Sequence, residues 1–83
     1  MNLTIKYFAS IREAIGSPSE SLQTSAATLA ELRDALIARG GAHAESLARG
    51  RAVRMALNQV MSDESAMLVD GAEVAFFPPV TGG

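Results

Sequence analysis

The stretch "TLAELRDALIARGG", residues 28–41, has the most regular hydrophobic pattern in the sequence. Leu29, Leu32 and Leu36 follow the spacing i, i+3 and i+7, which places them on one face of an α-helix. A helix with one apolar face must bury that face against another element of the fold. We therefore expect this helix to be the longest of the chain and to pack on a sheet.

The two ends of this helix are marked by residues that satisfy unpaired backbone groups. Thr28 and Glu31 form a T-x-x-E capping pattern, in which both side chains accept hydrogen bonds from backbone N–H groups of the helix start. Arg39 is expected in the last turn, where a positive charge suits the helix dipole. Gly40 can adopt the left-handed conformation that often ends a helix. The pattern predicts a helix that begins after Thr28 and stops at Gly40.

Segments on both sides of this helix alternate between apolar and polar residues, which is typical of half-buried β-strands. The predicted strands are residues 2–9, 20–25 and 52–60, and a last strand follows the Asp70–Gly71 turn. The residues predicted to face the core are Leu3, Ile5, Tyr7, Leu22, Val53, Met55, Leu57, Met67, Leu68, Val74 and Phe76.

Two shorter helical segments complete the predicted order of elements. Ser10 and Glu13 repeat the capping pattern, and Gly16 would end that helix after about one and a half turns. Residues 42–50 are expected to form another short turn. The order predicts an α+β fold in one domain, residues 1–83, with a mixed sheet of about four strands and one long helix across one face.

The composition excludes several classes of function. The sequence contains no cysteine, so it offers no disulfide and no cysteine nucleophile. Its net charge of −2 argues against nucleic acid as a partner. Its start resembles no signal peptide and its apolar runs are too short for a membrane span, so we expect a cytoplasmic protein with no membrane partner. His43, the only histidine, is expected on the surface rather than in a metal site or a catalytic triad.

Two aromatic residues fall on the face of the sheet that the long helix does not cover. Phe8 lies on the predicted first strand, on the face opposite to Tyr7, and Phe77 lies on the last strand with its side chain opposite to Phe76. If these strands are neighbours, the two rings form an exposed apolar patch of the kind that binds other proteins. Phe8 and Phe77 are therefore predicted to bind a protein partner.

The C-terminal segment "PPVTGG", residues 78–83, carries the remaining candidate chemistry. Pro78 and Pro79 lack backbone donors and end the last strand, so the chain is expected to leave the sheet stiff and extended. Gly82 and Gly83 have no Cβ and fit a slot too narrow for any side chain. The carboxylate of Gly83 is therefore an unhindered acyl group that another protein could activate.

The segments "FASIRE", "ALNQ" and above all "EVAFFPPVTGG" resemble the small, sulfur-carrying subunits of molybdopterin synthase, a branch of the ubiquitin-like β-grasp proteins. The resemblance implies that Gly83 is adenylated by an ATP-using enzyme similar to those that activate ubiquitin. A sulfurtransferase system would then convert the adenylate to a thiocarboxylate. No metal or cofactor would be bound by this chain itself.

The same resemblance implies a large partner subunit, with two small and two large subunits in the complex. The segment Pro79, Val80, Thr81, Gly82 and Gly83 would enter the large subunit and pass its sulfur to cyclic pyranopterin monophosphate. Two other functions leave a similar tail: a sulfur carrier of another pathway, such as thiamine thiazole synthesis, and a ubiquitin-like modifier joined to lysines of target proteins.

Overall fold

The computed structural model describes residues 1–79, which form one mixed sheet of five strands with three helices. The strands are β1 (Asn2–Tyr7), β2 (Ser19–Gln23), β3 (Arg54–Leu57), β4 (Val60–Ser62) and β5 (Glu73–Phe77). The helices are α1 (Ala9–Ile15), α2 (Leu29–Ile37) and α3 (Gly41–Leu47). The predicted α+β class is confirmed, with α2 as the longest of the described helices.

The strand order across the sheet is β2-β1-β5-β3-β4. The strands β1 and β5 therefore lie side by side near the centre of the sheet. β1 and β5 run parallel, with Ile5 opposite Val74 and Tyr7 opposite Phe76. The other three pairings are antiparallel. The alternation predicted from the sequence therefore puts the inward residues of β1 and β5 on the same face, directly beside each other.

The core lies between this face and the helices. Leu29, Leu32 and Leu36 of α2 have no exposed surface, which confirms the predicted helix face. Most of the inward strand positions are also confirmed, whereas Met67 is wrong: it is 65% exposed, and only its neighbour Leu68 is buried. The core residues contributed by the strands are Leu3, Ile5, Tyr7, Met55, Val74 and Phe76, with Leu22, Val53 and Leu57 packed at its margin.

The start of α2 forms as the capping pattern predicts. Thr28 Oγ1 accepts a hydrogen bond from the Glu31 N–H at 3.2 Å, and the Glu31 carboxylate accepts one from the N–H of Ala27 at 2.8 Å. The helix ends two residues earlier than predicted, because α2 stops at Ile37 and Arg39 lies beyond it. Gly40 acts as the stop: it has φ +76° and donates its N–H to the Ile37 carbonyl.

The start of α1 differs from its capping prediction. β1 runs into α1 through Phe8 alone, and no side chain caps the helix. The backbone carbonyl of Phe8 accepts the N–H groups of Ile11 and Arg12, each at 3.2 Å, so Ser10 lies inside the first turn. Ala9 has a left-handed φ of +51° because the chain changes direction within one residue. The Gly16 stop is confirmed, with φ +86°.

The strand predicted over residues 52–60 is in fact the first half of a hairpin. Asn58 and Gln59 both have positive φ, which is the backbone of a tight turn between β3 and β4. Asn58 also accepts the N–H of Glu73 on its side chain at 2.9 Å and donates its own N–H to the Glu73 carbonyl. β4 is therefore a fifth strand that the sequence pattern did not predict.

A buried arginine fixes the segment between α3 and β3. Arg33 is 5% exposed, and its guanidinium donates to the backbone carbonyls of Leu47, Ala48 and Arg51 at 2.7, 2.8 and 3.3 Å. Burial lowers the pKa of Arg33, and the nearby Glu64 carboxylate opposes that change. A buried guanidinium is costly unless its donors are hydrogen-bonded. Because the partners here are backbone carbonyls, these contacts hold the irregular segment in one conformation.

Candidate functional site

Phe8 and Phe77 lie together on the face of the sheet opposite to the helices. Their ring centroids are 6.4 Å apart and their planes meet at 86°, an edge-to-face contact. Phe8 is 44% exposed and Phe77 is half-buried. The contact follows from the parallel β1–β5 pairing, in which the Phe8 N–H donates to the Phe76 carbonyl at 3.1 Å. The structure thus brings both sequence-predicted aromatic residues into one patch.

The aromatic pair continues across the sheet as an apolar strip. Ala75 of β5 lies opposite Ala56 of β3, and Ala56 lies opposite Met61 of β4. The two alanines are almost covered, whereas Met61 is 56% exposed. We call Phe8, Phe77, Ala75, Ala56 and Met61 the apolar strip. The sequence pattern does not predict the outer end of the strip, because residues 52–60 alternate without a break and give no sign of the turn at Asn58–Gln59 that places Met61 there.

Charged side chains border the apolar strip. Lys6 Nζ lies 3.3 Å from the Glu73 carboxylate, and the two side chains are 41% and 29% exposed. Arg54 lies opposite Phe77 in the β3–β5 register and is exposed. A flat apolar centre with a charged border is the usual composition of a protein-binding surface.

A hydrogen-bonded cluster lies on the helical side of the sheet. The Glu20 carboxylate accepts from the Tyr7 hydroxyl at 2.8 Å and from Arg39 Nη1 at 2.6 Å, and it lies 3.1 Å from His43 Nε2. We call these four residues the Glu20 cluster. The surface prediction for His43 is wrong: its side chain is 16% exposed, and its ring meets the Tyr7 ring edge-on with centroids 5.8 Å apart.

Burial and hydrogen bonding within the Glu20 cluster shift the pKa values of Glu20 and Tyr7. Burial on its own would raise the pKa of Glu20, but hydrogen bonds from Arg39, Tyr7 and His43 bring it below its ordinary value. Burial and the Glu20 carboxylate raise the pKa of Tyr7 far above its ordinary value. At neutral pH, Glu20 is therefore ionised and Tyr7 remains a hydrogen-bond donor. The Tyr7 ring in turn stacks on Phe76, with centroids 6.3 Å apart.

The chain leaves the sheet beside the apolar strip. Pro78 and Pro79 follow β5 directly and are half-buried, outside any strand, as predicted. Pro78 lines a groove between α1 and α3 together with Ile11, Ser46 and Arg51. The predicted reactive residue Gly83 and the segment Val80, Thr81 and Gly82 lie outside the described residues.

Residues 1–79 contain no group of three or more histidine, aspartate or glutamate side chains that could hold a metal ion. Across the same residues, none of the helices has the length and apolar composition needed to cross a membrane.

Comparison with known proteins agrees with this geometry. The sequence profile of the ThiS family matches residues 5–83. The chain belongs to the ThiS family. A relative of the ThiS-family chain, the molybdopterin synthase sulfur carrier subunit of Haemophilus influenzae, is 37% identical over 81 residues, which cover 98% of this chain and 99% of the relative.

Solved structures similar to this ThiS-family chain share its whole length. SAMP1 from Haloferax volcanii superposes with a TM-score of 0.78 at 26% identity, covering 100% of both chains. A chain from the complex of subunits 1 and 2 of the molybdopterin-converting factor of Helicobacter pylori superposes with a TM-score of 0.71 at 27% identity, again covering 100% of both. The predicted ubiquitin-like β-grasp fold is confirmed.

Proposed function

We propose that this chain is the sulfur carrier subunit of molybdopterin synthase and acts in the biosynthesis of the molybdenum cofactor. The observation that carries the proposal is the 37% identity, over nearly the full length of both proteins, to a relative of that name. The apolar strip at the exit of the C-terminal segment supports it, because a carrier needs a docking surface next to its reactive end.

The reactive group in this proposal is the carboxylate of Gly83. Its oxygen attacks the α-phosphorus of ATP to form an acyl adenylate with release of pyrophosphate. The terminal sulfur of a persulfide then displaces AMP, and a thiol cleaves the resulting acyl disulfide to release the thiocarboxylate. Such a step needs an acyl carbon that its enzymes can approach closely, which glycine allows because it has no Cβ. The chain itself binds no cofactor in this scheme, and ATP is consumed by the activating enzyme.

Three protein partners follow from the same scheme. The large subunit of molybdopterin synthase would bind the apolar strip and receive the segment Pro79–Gly83, two copies of each subunit forming a heterotetramer. A ubiquitin-activating-like enzyme would form the adenylate, and a sulfurtransferase would supply the sulfur. Because these steps consume ATP, the proposal places the chain in the cytoplasm. Within the synthase, sulfur would pass to cyclic pyranopterin monophosphate.

The experiment that tests the proposal is mass spectrometry of the intact chain after incubation with the activating enzyme, ATP and a sulfur donor. We expect one oxygen-to-sulfur exchange, localised to the C-terminal peptide. Deletion of Gly83 should abolish the exchange without lowering the melting temperature, and Gly82→Val should weaken it strongly because its side chain obstructs a narrow slot. Met67→Ala, an exposed change away from the apolar strip, is the control that should behave like wild type.

Two outcomes would contradict this function. A Gly-Gly remnant on lysines of other proteins, without any thiocarboxylate, would identify a modifier instead. Formation of the thiocarboxylate without sulfur transfer to the pterin precursor, in the presence of the large subunit, would place the carrier in another pathway.

A further inference from the structure

Met61 is an exposed thioether at the outer end of the apolar strip, on the open face of the sheet, which is the face opposite to the helices. The sequence contains four methionines and no cysteine, so thioethers are its only sulfur-containing side chains. Met55 is 5% exposed, whereas Met1, Met61 and Met67 are 38%, 56% and 65% exposed. A dissolved oxidant can therefore reach three of these side chains in the folded chain, and Met61 is the one that belongs to the apolar strip.

The position of Met61 in the sheet explains why its side chain is accessible. Among the described strands, β4 pairs only with β3, so it is an edge of the sheet. Ala56 lies directly opposite Met61, and Ala75 is the next residue across the sheet. Their methyl side chains are too small to cover the thioether. A change in the polarity of Met61 therefore alters the surface of the apolar strip without reaching the core.

We propose that Met61 is an oxidation site, at which conversion to the sulfoxide by a hydroperoxide prevents the free chain from docking on its large subunit. The inference rests on the proposed function of the apolar strip. The thioether sulfur attacks one oxygen of hydrogen peroxide, and an S–O bond forms as the O–O bond breaks. Sulfur loses two electrons, the departing oxygen takes them, and proton transfer completes the second product, water. Methionine sulfoxide reductases reverse this modification.

The sulfoxide opposes docking because its oxygen is a polar hydrogen-bond acceptor. Burial of such a group is unfavourable unless a donor meets it. The neighbours of Met61 within the apolar strip, Ala56 and Ala75, have side chains that donate no hydrogen bond. Docking would therefore bury the new oxygen without a side-chain donor from the strip. In the complex the large subunit covers the strip, so peroxide reaches Met61 only while the chain is free.

The test treats the full chain with hydrogen peroxide at neutral pH, locates the added oxygen by peptide mass spectrometry and measures binding to the large subunit by calorimetric titration. Met61 and Met67 should be oxidised while Met55 stays reduced. The Kd should rise about fivefold or more, the lower end of the cost of burying an unpaired polar group. The melting curve should stay nearly unchanged, and reductases for both sulfoxide epimers should restore the affinity.

Two matched variants assign the effect to one sulfur atom, and each is compared with itself before and after peroxide. Met67→Leu keeps Met61 and should lose affinity as the wild type does. Met61→Leu keeps Met67 and should show the same Kd before and after treatment. With the large subunit at about ten times its Kd, roughly nine-tenths of the chain is bound, so oxidation of Met61 should slow about tenfold while that of Met67 is unchanged.

Several results would overturn this inference and leave the proposed function standing. They are a Met61 that stays reduced while Met67 is oxidised, an oxidised Met61 with unchanged affinity, and loss of cooperative unfolding after peroxide. Equal losses of affinity in treated Met61→Leu and Met67→Leu also contradict it, because Met1, which both variants share, would then be responsible. If the untreated chain does not bind the large subunit, the proposed docking surface is wrong and this inference is wrong with it.

Discussion

At the scale of single residues, a substitution of Leu32 tests whether the predicted apolar face of α2 is buried against the sheet. Its side chain has no exposed surface between α2 and the sheet. Leu32→Ala should lower the free energy of unfolding by about 2–5 kcal/mol, because it removes buried apolar contacts and leaves a cavity. Urea denaturation measures the change, with Met67→Ala as the control, since Met67 is 65% exposed. Equal losses for the two variants would contradict the described packing.

Phe77 is the residue at which a substitution should weaken partner binding without lowering the stability of the fold. It contacts Phe8 on the open face, and its side chain is only half-buried in the free chain. Phe77→Ala should weaken binding to the large subunit by about 2 kcal/mol or more, roughly 30-fold in Kd, while the melting curve stays nearly unchanged. Calorimetric titration measures the affinity. Val69→Ala, another exposed apolar residue, should bind normally; lost folding in Phe77→Ala with normal binding per folded molecule would make Phe77 a core residue.

The residues that could be predicted from the sequence are those whose role follows from local periodicity. Leu29, Leu32 and Leu36 needed only their spacing. His43 could not be placed in this way, because its position depends on Glu20 and Tyr7, which approach it only once the helices pack on the sheet. Met67 was misplaced for a similar reason: periodicity does not say which residue of an irregular segment turns inward.

At the scale of elements, the two predicted helix caps differ in their structural outcome. Thr28 accepts a hydrogen bond at the start of α2, whereas no side chain caps α1. Thr28→Ala should therefore cost about 1 kcal/mol of stability, the usual contribution of such a cap. Ser10→Ala should cost almost nothing. Chemical denaturation of the two variants side by side measures both effects, and a larger loss for Ser10→Ala would show that the α1 start is described wrongly.

The Glu20 carboxylate joins the edge strand β2 to Arg39 and to α3, so it connects separate elements of the fold. Glu20→Gln should lower the free energy of unfolding by about 1–2 kcal/mol at neutral pH, because hydrogen bonds to a charged acceptor are replaced by weaker ones. Since the folded-state pKa of Glu20 lies below its ordinary value of 4.5, this contribution is present above that pH and is lost as the pH falls through the folded pKa.

Thermal unfolding between pH 7 and pH 3 checks this dependence. Wild type should lose more stability than Glu20→Gln as the pH falls below about 4.5, so that the two curves converge. Glu45→Gln, an exposed change on α3, should run parallel to wild type. Curves that stay equally far apart at every pH would contradict an ionised Glu20 in the folded protein.

Element types were predicted well and element boundaries less well. The strong period of α2 and the alternation of β1 and β5 identify those elements without further information. The β3–β4 hairpin was missed because Asn58–Gln59 lacks the glycine that usually marks so tight a turn. The hydrogen bonds between Asn58 and Glu73 of the neighbouring strand now account for the turn, and that contact joins residues 15 positions apart in the sequence.

At the scale of the whole molecule, the central position of β5 makes the sheet depend on the last part of the chain. β5 pairs with both β1 and β3, and Val74 and Phe76 have no exposed surface. A chain that ends at residue 72 should therefore lack a cooperative unfolding transition by circular dichroism. A chain that ends at residue 79 is the matched control and should unfold as cooperatively as the full chain. Folding of the shorter variant would contradict the described topology.

The parallel pairing of β1 and β5 also determines how the domain bears mechanical load. A force applied along the axis of β5 from its C-terminal end acts at right angles to the direction across the sheet. The hydrogen bonds to β1 and β3 then resist together, in shear, instead of opening one after another as at the end of a hairpin. In the proposed function, the domain would therefore remain folded while its C-terminal segment is withdrawn from the large subunit.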